Sequence, residues 1–308
     1  MRKKTWFLLP GLTLLLALCL FTPALGEETE EELFVENQWD YVDEAISVSQ
    51  GIPDDATGVL AKIKAAGVLR VATEPYFPPQ EFIDPSLEGQ DRFVGADMNM
   101  ARLIAERMGV TLEIVPMDFS LVLNAVTEGL CDLAVSALSY TPERAFMVEL
   151  SKGYYFSEGG NSGILIREGD RENIKSLSDL WDKTIAAQSS SLQETMMAKH
   201  VTAYQEFRRL KSMNEVYALL MDGRADAAMV DLDSARAYIQ SNPDCGLTLV
   251  PDLVFTLEEQ FQGDRVAAKK GELQLVYFVN GVIDELLSAD RYDQWYAESE
   301  AYAARLGL

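Results

Sequence analysis

The residues DLAVSALSYTPER, at positions 132–144, contain an apolar strand followed at once by the start of a helix. Residues 132–138 form the predicted strand, because hydrophobic side chains dominate this short run. Thr141 is a preferred residue for a helix N-cap, and Pro142 suits the first helical position after it. Ser139 then lies at the carboxyl end of the strand. A strand that passes into a helix in this way is typical of an α/β fold.

Strands and amphipathic helices alternate in the same way along most of the chain. The predicted strands lie at residues 68–73, 111–116, 132–138, 163–167, 184–187, 225–230 and 265–268. The predicted helices lie at residues 58–66, 98–108, 120–128, 177–180, 192–199, 213–221, 234–240 and 272–287. This alternation predicts sheets that are covered by helices, and therefore an α/β fold class.

The length of the chain, 308 residues, exceeds what one hydrophobic core usually supports. We expect residues 58–157 and 261–308 to build one lobe and residues 158–260 to form a second lobe inserted between them. The chain then crosses between the lobes twice, and a pair of crossing strands makes a hinge. The sequence thus predicts two lobes that can close on one another.

The N-terminal residues 1–26 have the layout of a secretory signal peptide, with cations first, an apolar run next and small residues last. The apolar run, residues 6–21, is short for a membrane-spanning helix, which needs about 20 apolar residues. We therefore expect export to the extracellular or periplasmic side. Two alternatives keep the protein at the membrane, namely a signal that is not cleaved and a lipid attached to Cys19. Leu18 departs from the small residue that usually precedes a lipidated cysteine.

Acidic residues outnumber basic ones in the chain, and many of them lie in an extension at residues 27–57. This extension holds eleven carboxylates and no Lys or Arg, and the whole chain has a formal net charge of −23 at pH 7. Such a surface repels nucleic acid, so we expect no nucleic-acid partner. His200 is the single histidine, which excludes a zinc-type ligand cluster. We predict neither a metal nor a cofactor.

The strongest candidate site follows the strand at residues 132–138. In open α/β sheets, ligands bind beyond the carboxyl ends of the strands, where helix N-termini also point. The Ser139 hydroxyl and the Arg144 guanidinium stand in this segment, and arginine can hold a carboxylate with two parallel hydrogen bonds. The alternative is an exposed Arg144 that pairs with Glu143 or Glu149.

Two strand ends of the second lobe carry complementary groups. Ser190 and Ser191 precede a predicted helix, where they offer donors to the same anion or serve only as helix caps. Asp231 ends a predicted strand and can neutralise a ligand ammonium group, while Asp233 or Ser234 caps the next helix. A structural ion pair is the alternative role for Asp231.

Acidic and aromatic residues follow two strands of the first lobe. Glu74 begins a proline-rich loop that also contains Tyr76 and Phe77, and Phe119 stands after a later strand. The rings can enclose a ligand side chain, or they can belong to the hydrophobic core. In the first case, Glu74 provides one carboxylate near the pocket.

Four segments in a fixed order make the sequence similar to a known family. They are GVLRVAT at 67–73, FVGAD at 93–97, SYTPERA at 139–145 and GRADA at 223–227. With them the chain resembles the amino-acid family of bacterial extracellular solute-binding proteins, the receptors of ATP-driven importers. The resemblance covers about residues 58–308. It implies the two-lobed, type II fold of periplasmic binding proteins with two hinge strands, and an ABC permease as the membrane partner.

The resemblance also implies a role for each candidate residue around a small zwitterionic ligand. The residues implied to hold the α-carboxylate are Arg144, Ser139, Ser190 and Ser191. Those implied to hold the α-ammonium group are Asp231, Ser139 and the carbonyl of Ala137. Those implied to line the side-chain pocket are Phe119, Glu74 and Phe77, or Tyr76 if the loop is shifted by one residue.

The implied function is capture of a polar L-amino acid by hinge closure. Glu74, where the family usually has Asp or Ser, favours a polar or cationic side chain on the ligand. Gln80 stands where the family usually has an aromatic residue, and Ser190-Ser191 replaces a Gly-Thr pair. The alternative functions are an extracellular sensor and an enzyme similar to cyclohexadienyl dehydratase. Glu74 would be the general acid of that enzyme, but no base partner stands out.

Overall fold

The computed structural model describes residues 51–157 and 162–308. These residues form two five-stranded sheets and one small sheet of three strands. The strands are β1 (Val68–Thr73), β2 (Tyr76–Phe77), β3 (Glu81–Ile83), β4 (Phe93–Val94), β5 (Thr111–Pro116), β6 (Leu133–Ser139), β7 (Val148–Leu150), β8 (Ser162–Arg167), β9 (Thr184–Gln188), β10 (Glu206–Leu210), β11 (Ala227–Asp231), β12 (Leu247–Phe255) and β13 (Asp264–Lys269). The α-helices are α1 (Gly58–Ala66), α2 (Ala96–Met108), α3 (Phe119–Thr127), α4 (Pro142–Met147), α5 (Leu192–His200), α6 (Met213–Met221), α7 (Leu232–Ser241), α8 (Leu273–Ser288) and α9 (Arg291–Leu306). Short 3-10 helices cover Glu168–Asp170, Leu177–Leu180 and Glu259–Phe261.

The first sheet has the strand order β5-β1-β6-β13-β7. β1 lies parallel to β5 and β6, whereas β13 runs antiparallel to β6 and β7. Adjacent residues of a strand point to opposite faces of the sheet. Val71 packs in a cluster with Ile104 and Phe278 on one face, and Ala72 packs with Val122 on the other. Helices α1, α2 and α8 therefore cover one face, and α3 covers the other.

The second sheet has the strand order β10-β9-β11-β8-β12. β9 lies parallel to β10 and β11, and β8 runs antiparallel to β11 and β12. Ile185 packs with Met196 of α5 on one face, whereas Ala186 packs with Val216 of α6 and Ala235 of α7 on the other. Each sheet therefore has its own hydrophobic core, as expected for two lobes.

The chain passes between the two sheets twice, from β7 to β8 and from β12 to β13. The two crossing segments pair with each other. The Tyr154 N–H donates to the Asp264 carbonyl at 2.9 Å, and the Asp264 N–H donates to the Tyr155 carbonyl at 2.9 Å. The predicted two-lobed α/β fold with two hinge strands is confirmed by this arrangement. A rotation at the paired segments can change the angle between the lobes without disturbing either sheet.

The sequence pattern does not predict the short strands β2, β3, β4 and β7, nor the longer elements β10, β12 and α9. β10 reads EFRRL and has little apolar alternation, because it lies at an edge of its sheet. β12 contains Pro251, which usually argues against a strand, and its pairing with β8 shifts register between Leu249 and Val254. In α9 the buried residues Tyr292, Ser299 and Ala303 form too weak an apolar stripe to predict a helix.

The predicted signal peptide and residues 27–50 of the acidic extension lie outside the described residues. The remaining part of that extension packs against the first lobe. Ile52 is buried in the core cluster of that lobe, and the Thr57 N–H donates to Gln274 Oε1 at 2.7 Å. None of the helices in the described ranges is long and apolar enough to cross a lipid bilayer.

Candidate ligand-binding site

A cavity lies between the two lobes, at the carboxyl ends of β1 and β6 on one side and of β9 and β11 on the other. Its volume is about 590 Å³, including the part that is open to solvent. Eight of the nine predicted binding residues line it, and they are Glu74, Phe77, Phe119, Ala137, Ser139, Arg144, Ser191 and Asp231. The parallel strands explain this convergence, because their carboxyl ends meet at one edge of each sheet.

Arg144 is buried between the lobes, with 7% of its surface exposed. Its Nη1 donates to the Ser139 carbonyl at 2.7 Å, and its Nη2 donates to the Ser190 carbonyl of the other lobe at 3.1 Å. The guanidinium also lies 5.6 Å from the centre of the Phe119 ring. These contacts replace the alternative of an exposed arginine, since Glu149 pairs instead with Lys270 at 3.3 Å.

Burial surrounds the guanidinium of Arg144 with protein, and no carboxylate of the described residues lies at salt-bridge distance from it. This burial lowers the pKa of Arg144 to about 10, because desolvation penalises the charged form. Carbonyl oxygens satisfy two of the five N–H donors of an arginine. The site therefore holds a desolvated cation that an incoming carboxylate can neutralise.

The strand β6 is distorted where it reaches the cavity. Ala137 has a left-handed backbone with φ of 46°, which is uncommon for a residue other than glycine. The pairing of β6 with β13 shifts register next to it, between Arg265 and Ala267. The Ala137 N–H donates to Asp97 Oδ2 at 2.9 Å, so a buried carboxylate holds this distortion in place. Bulges of this kind re-aim backbone groups beside functional sites.

Asp97 belongs to a buried acid pair below the cavity floor. Asp97 also accepts hydrogen bonds from the hydroxyls of Tyr154 at 2.9 Å and Tyr292 at 2.6 Å. Glu81 accepts from the Ser136 hydroxyl at 2.9 Å. Burial and the neighbouring Asp97 charge hold the pKa of Glu81 well above its usual range. Because Asp97 has the hydrogen bonds that favour a negative charge, Glu81 is the member of the pair that holds the proton.

Asp231 is the N-cap of α7 and lines the cavity at the same time. Its Oδ1 accepts a hydrogen bond from the Ser234 N–H at 2.8 Å. The expectation that Asp233 or Ser234 caps this helix is wrong, because α7 begins at Leu232, two residues earlier than predicted. Burial is the main cause that raises the pKa of Asp231 to about 6, and no cation of the described residues forms a salt bridge with it.

Glu74 also lines the cavity and has 1% of its surface exposed. Neither carboxylate oxygen has a hydrogen bond of regular geometry among the described residues, and only weak interactions with the Gln188 amide and the Tyr76 backbone favour its charge. Burial is the main cause that raises the pKa of Glu74 to about 8, and repulsion by Asp118 and Glu215 contributes to this rise. A ligand cation is the missing partner that would remove this penalty.

Of the two aromatic residues in the loop after β1, Phe77 rather than Tyr76 is the one that lines the cavity. Phe77 lines the cavity beside Phe119, whereas Tyr76 is 45% exposed and faces a neighbouring groove. Phe77 also packs against the core cluster of the second lobe. One ring from this loop therefore spans the gap between the lobes.

The two serines before α5 have different surroundings. Ser191 lines the cavity, but its hydroxyl donates to the Gln188 carbonyl at 2.7 Å and accepts from the Glu194 N–H at 3.1 Å, which makes it the N-cap of α5. Ser190 has an exposed side chain and a φ of 63°, and its side chain is not among those that line the cavity. Its carbonyl, rather than its hydroxyl, reaches Arg144.

Sequence reasoning does not assign a ligand contact to several other residues of the cavity wall. They include Gln80, Tyr155, Gln188, Gln193, Asp233 and Asp264. Gln80 and Gln188 follow or end strands, so the same search of strand ends could have found them. Asp264 comes at the start of β13, and Tyr155 lies in the crossing segment, where that search does not look.

Acidic residues outnumber basic ones around the cavity. Of the described residues that line it, Glu74, Asp231, Asp233 and Asp264 are acidic and Arg144 is the only basic one. Burial raises the pKa of Asp264 to about 8, with a further contribution from the Asp97 and Asp231 charges. This balance favours a ligand that has more positive than negative groups.

The lobes contact each other on both sides of the cavity. Besides the contact between Arg144 and Ser190, Lys211 Nζ of the second lobe lies 3.3 Å from Asp118 Oδ2 of the first. The arrangement is therefore a closed form in which both lobes reach one enclosed site. Two lobes with a hinge and a polar cleft between them define a binding protein that closes around a small solute.

Comparison with known proteins assigns the chain to a family. Residues 69–298 match the family of bacterial extracellular solute-binding proteins, family 3. Because the match covers most of the chain, this protein belongs to that family. Its predicted resemblance to amino-acid receptors of this kind is thereby confirmed, as is the extracellular or periplasmic class of its relatives.

The chain is similar to three further proteins with known names or structures. The arginine-binding extracellular protein ArtP of Bacillus subtilis is 30% identical over 165 residues, which are 53% of this chain and 62% of ArtP. An amino acid ABC transporter substrate-binding protein of Streptococcus pneumoniae, bound to L-arginine, has a TM-score of 0.71 and 30% identity, and the match covers 80% of this chain and 98% of that protein. The ancestral amino-acid-binding protein AncCDT-1, a precursor of cyclohexadienyl dehydratase, has a TM-score of 0.68 and 26% identity over 78% of this chain and 99% of its own.

Proposed function

We propose that this chain is the substrate-binding component of an ABC importer and that its ligand is an L-amino acid with a cationic side chain, such as arginine. The protein takes up the ligand between its lobes, closes, and presents it to the permease in the membrane. The observation that carries the proposal is the charge pattern of the cavity. One guanidinium and carboxyl groups at two separate positions match one carboxylate and two cations on the ligand.

Arg144 holds the α-carboxylate of the ligand. Its guanidinium is buried and has no neutralising carboxylate at salt-bridge distance in the described structure, so the ligand carboxylate gains a charge-assisted pair in a site of low dielectric. Ser139 stands beside it at the end of β6, and Ser191 contributes the N-terminal end of α5 from the other lobe. Contacts from both lobes to the same group favour the closed form.

Asp231 receives the α-ammonium group, together with the Ser139 hydroxyl and the Ala137 carbonyl. An ammonium group has three N–H donors and no acceptor, so three surrounding oxygens match it. The left-handed backbone of Ala137 supports this role, because it removes the strand from regular pairing at this point. The elevated pKa of Asp231 reports a carboxylate that would gain from a cation.

The ligand side chain lies between Phe77 and Phe119 and ends at Glu74. A guanidinium or ammonium group at that end neutralises a carboxyl group that burial now penalises. The aromatic rings favour the same cation through interaction with their faces. Support also comes from the two arginine-related proteins above, one named for arginine binding and one bound to L-arginine.

Calorimetric titration with arginine, lysine, histidine and glutamine tests the ligand class. We expect a cationic amino acid to bind most tightly to the wild type. In Glu74→Gln, we expect the affinity for that ligand to fall about tenfold or more, because the cation loses its buried partner, while glutamine changes by less than about threefold. Glu88→Gln, at an exposed position, is the control. A wild type that prefers glutamine would contradict the cationic ligand, and an equal loss for every ligand would show that Glu74 only supports the loop.

We further propose that the chain binds its ligand without converting it, as its transport-binding relatives do. AncCDT-1 makes the enzymatic alternative worth testing, since it is a precursor of a dehydratase. Incubation with a cyclohexadienyl acid, followed by NMR, should leave the acid unchanged. Formation of an aromatic product would establish the alternative.

We also propose the lobe boundaries 58–157, 158–260 and 261–308, and export directed by residues 1–26. The paired sheets support these boundaries, because β7 ends at Leu150 and β13 begins at Asp264. Attachment of a lipid to Cys19 or retention of the signal would hold the protein at the membrane. Mass spectrometry of the mature N-terminus distinguishes these outcomes.

A further inference from the structure

Asp264 occupies the point where the hinge meets the binding site. It is the first residue of β13 and pairs with Ser139 at the end of β6. Its backbone N–H and carbonyl are both used by the other crossing segment, through Tyr155 and Tyr154 at 2.9 Å each. This double pairing fixes the position of the residue, and its side chain lines the cavity.

The Asp264 carboxyl group is held only by long hydrogen bonds. Ser139 Oγ lies 3.4 Å from Oδ1, and Gln80 Nε2 lies 3.4 Å from Oδ2, both at the outer limit for such contacts. Arg144 and Arg265 are near enough to attract the charge, and both guanidinium groups also donate to backbone carbonyls, Arg144 to Ser139 and Arg265 to Ser151. The carboxylate is thus enclosed and has no direct cationic partner among the contacts of the described residues.

The surroundings of Asp264 are those of the ammonium group rather than of the ligand side chain. Ser139 contacts it directly, and Asp231 lies close enough for their charges to repel each other. Glu74, by contrast, interacts with Asp118, Glu215 and Gln188. The two acids therefore serve separate parts of the cavity.

We propose that Asp264 is a further ligand-binding residue, which accepts a hydrogen bond from the α-ammonium group opposite Asp231. The proposal rests on the proposed function as an amino-acid receptor. One oxygen of Asp231 already accepts a hydrogen bond from the N-terminal end of α7. A second carboxylate therefore offers the ammonium group an acceptor in place of the oxygen that the cap occupies. Because Asp264 also joins the two crossing segments, its contact with the ammonium group links recognition of the amine to closure of the hinge.

A comparison of ligands with and without the α-amino group tests this role. The probes are L-arginine and 5-guanidinopentanoate, which is arginine without that group. L-glutamine and glutaramate form the matching pair if glutamine is the ligand. In Asp264→Asn, we expect the affinity for the amino acid to fall about tenfold or more, and the affinity for the analogue to change by less than about threefold.

Two controls separate recognition from folding. Asp293→Asn removes an exposed carboxylate of α9 and should leave both affinities unchanged. The thermal midpoint of Asp264→Asn should stay close to that of the wild type, and Asp264→Ser replaces it in the comparison if the Asn variant does not fold.

The possible outcomes are distinct. A loss of affinity confined to the amino acid supports the role of Asp264. Equal losses for the amino acid and its analogue, or no loss for either, overturn it while the receptor function stands. A wild type that binds none of the twenty amino acids overturns both proposals.

Discussion

At the scale of single residues, the site is built from charged groups that have no oppositely charged partner at salt-bridge distance among the described residues. Arg144, Asp231 and Glu74 are each drawn away from water, and the pKa of each is shifted against its charged form. A folded protein that leaves such groups unpaired loses stability, which a ligand can return on binding. The unpaired charges are therefore the feature that ties structure to binding.

Asp231 caps α7 and, in the proposed function, also receives the α-ammonium group, and one substitution can separate the two roles. Asparagine is as good an N-cap as aspartate, so Asp231→Asn should keep the cap on α7 and the thermal midpoint within about 2 °C of the wild type. It cannot neutralise an ammonium group, and we expect the affinity for the amino acid to fall on the order of 100-fold.

Calorimetry and thermal unfolding of the same Asp231→Asn sample measure both effects. Asp244→Asn, at an exposed position of the second lobe outside the cavity wall, is the matched control. A variant that keeps its affinity would show that Asp231 serves only as a cap.

Sequence alone could locate Arg144, Ser139 and Asp231, because strand ends in an α/β fold face one another whatever the details of the loops. It could not locate Asp264, whose position depends on the antiparallel pairing of β13 with a distant strand. Ser190 shows the opposite case. Its left-handed backbone turns its carbonyl toward Arg144, and residue type does not predict this.

At the scale of elements, the buried pair of Glu81 and Asp97 joins the small sheet to α2 beneath the cavity. Glu81 has its pKa raised, so the folded protein binds a proton that the unfolded chain releases above its ordinary pKa of about 4.5. Stability from this group is present below that pH and is lost as the pH rises toward the folded pKa.

Glu81→Gln should remove this pH dependence, since the amide keeps the shape and cannot ionise. Between pH 5 and pH 8, we expect the free energy of unfolding of this variant to fall less steeply with pH than that of the wild type. The two slopes should differ by up to about 1.4 kcal/mol per pH unit. Urea unfolding at several pH values gives the slopes, with Glu88→Gln as the exposed control. An unchanged slope in Glu81→Gln would mean that Glu81 is ionised in the fold.

Elements with a strong apolar period agree closely with their predictions. The helices α1 and α6 and the strands β1 and β5 have the predicted bounds. The weakly apolar β10 and α9 are not predicted, because tertiary contacts rather than an apolar period determine where they form. Tyr292 of α9, for example, is held by a tilted ring contact with Tyr154 and by its hydrogen bond to Asp97, neither of which is visible as periodicity.

At the scale of the whole molecule, closure brings groups of both lobes to one ligand. Arg144 of the first lobe already reaches the Ser190 carbonyl of the second, and Lys211 and Asp118 form an ion pair across the gap. The exposed ion pair contributes little by itself. We therefore expect the enclosed charges, once paired with the proposed ligand, to favour closure more than this ion pair does.

Binding to Arg144→Ala tests the central claim, that Arg144 anchors an amino-acid carboxylate between closing lobes. Titration with the ligand, together with small-angle scattering, should show a wild type that binds and becomes more compact. The variant should lose on the order of 100-fold in affinity or more and stay open at the same ligand concentration. Arg171→Ala, at an exposed arginine of the second lobe, should behave as the wild type. A folded Arg144→Ala variant that binds and closes like the wild type would contradict the claim.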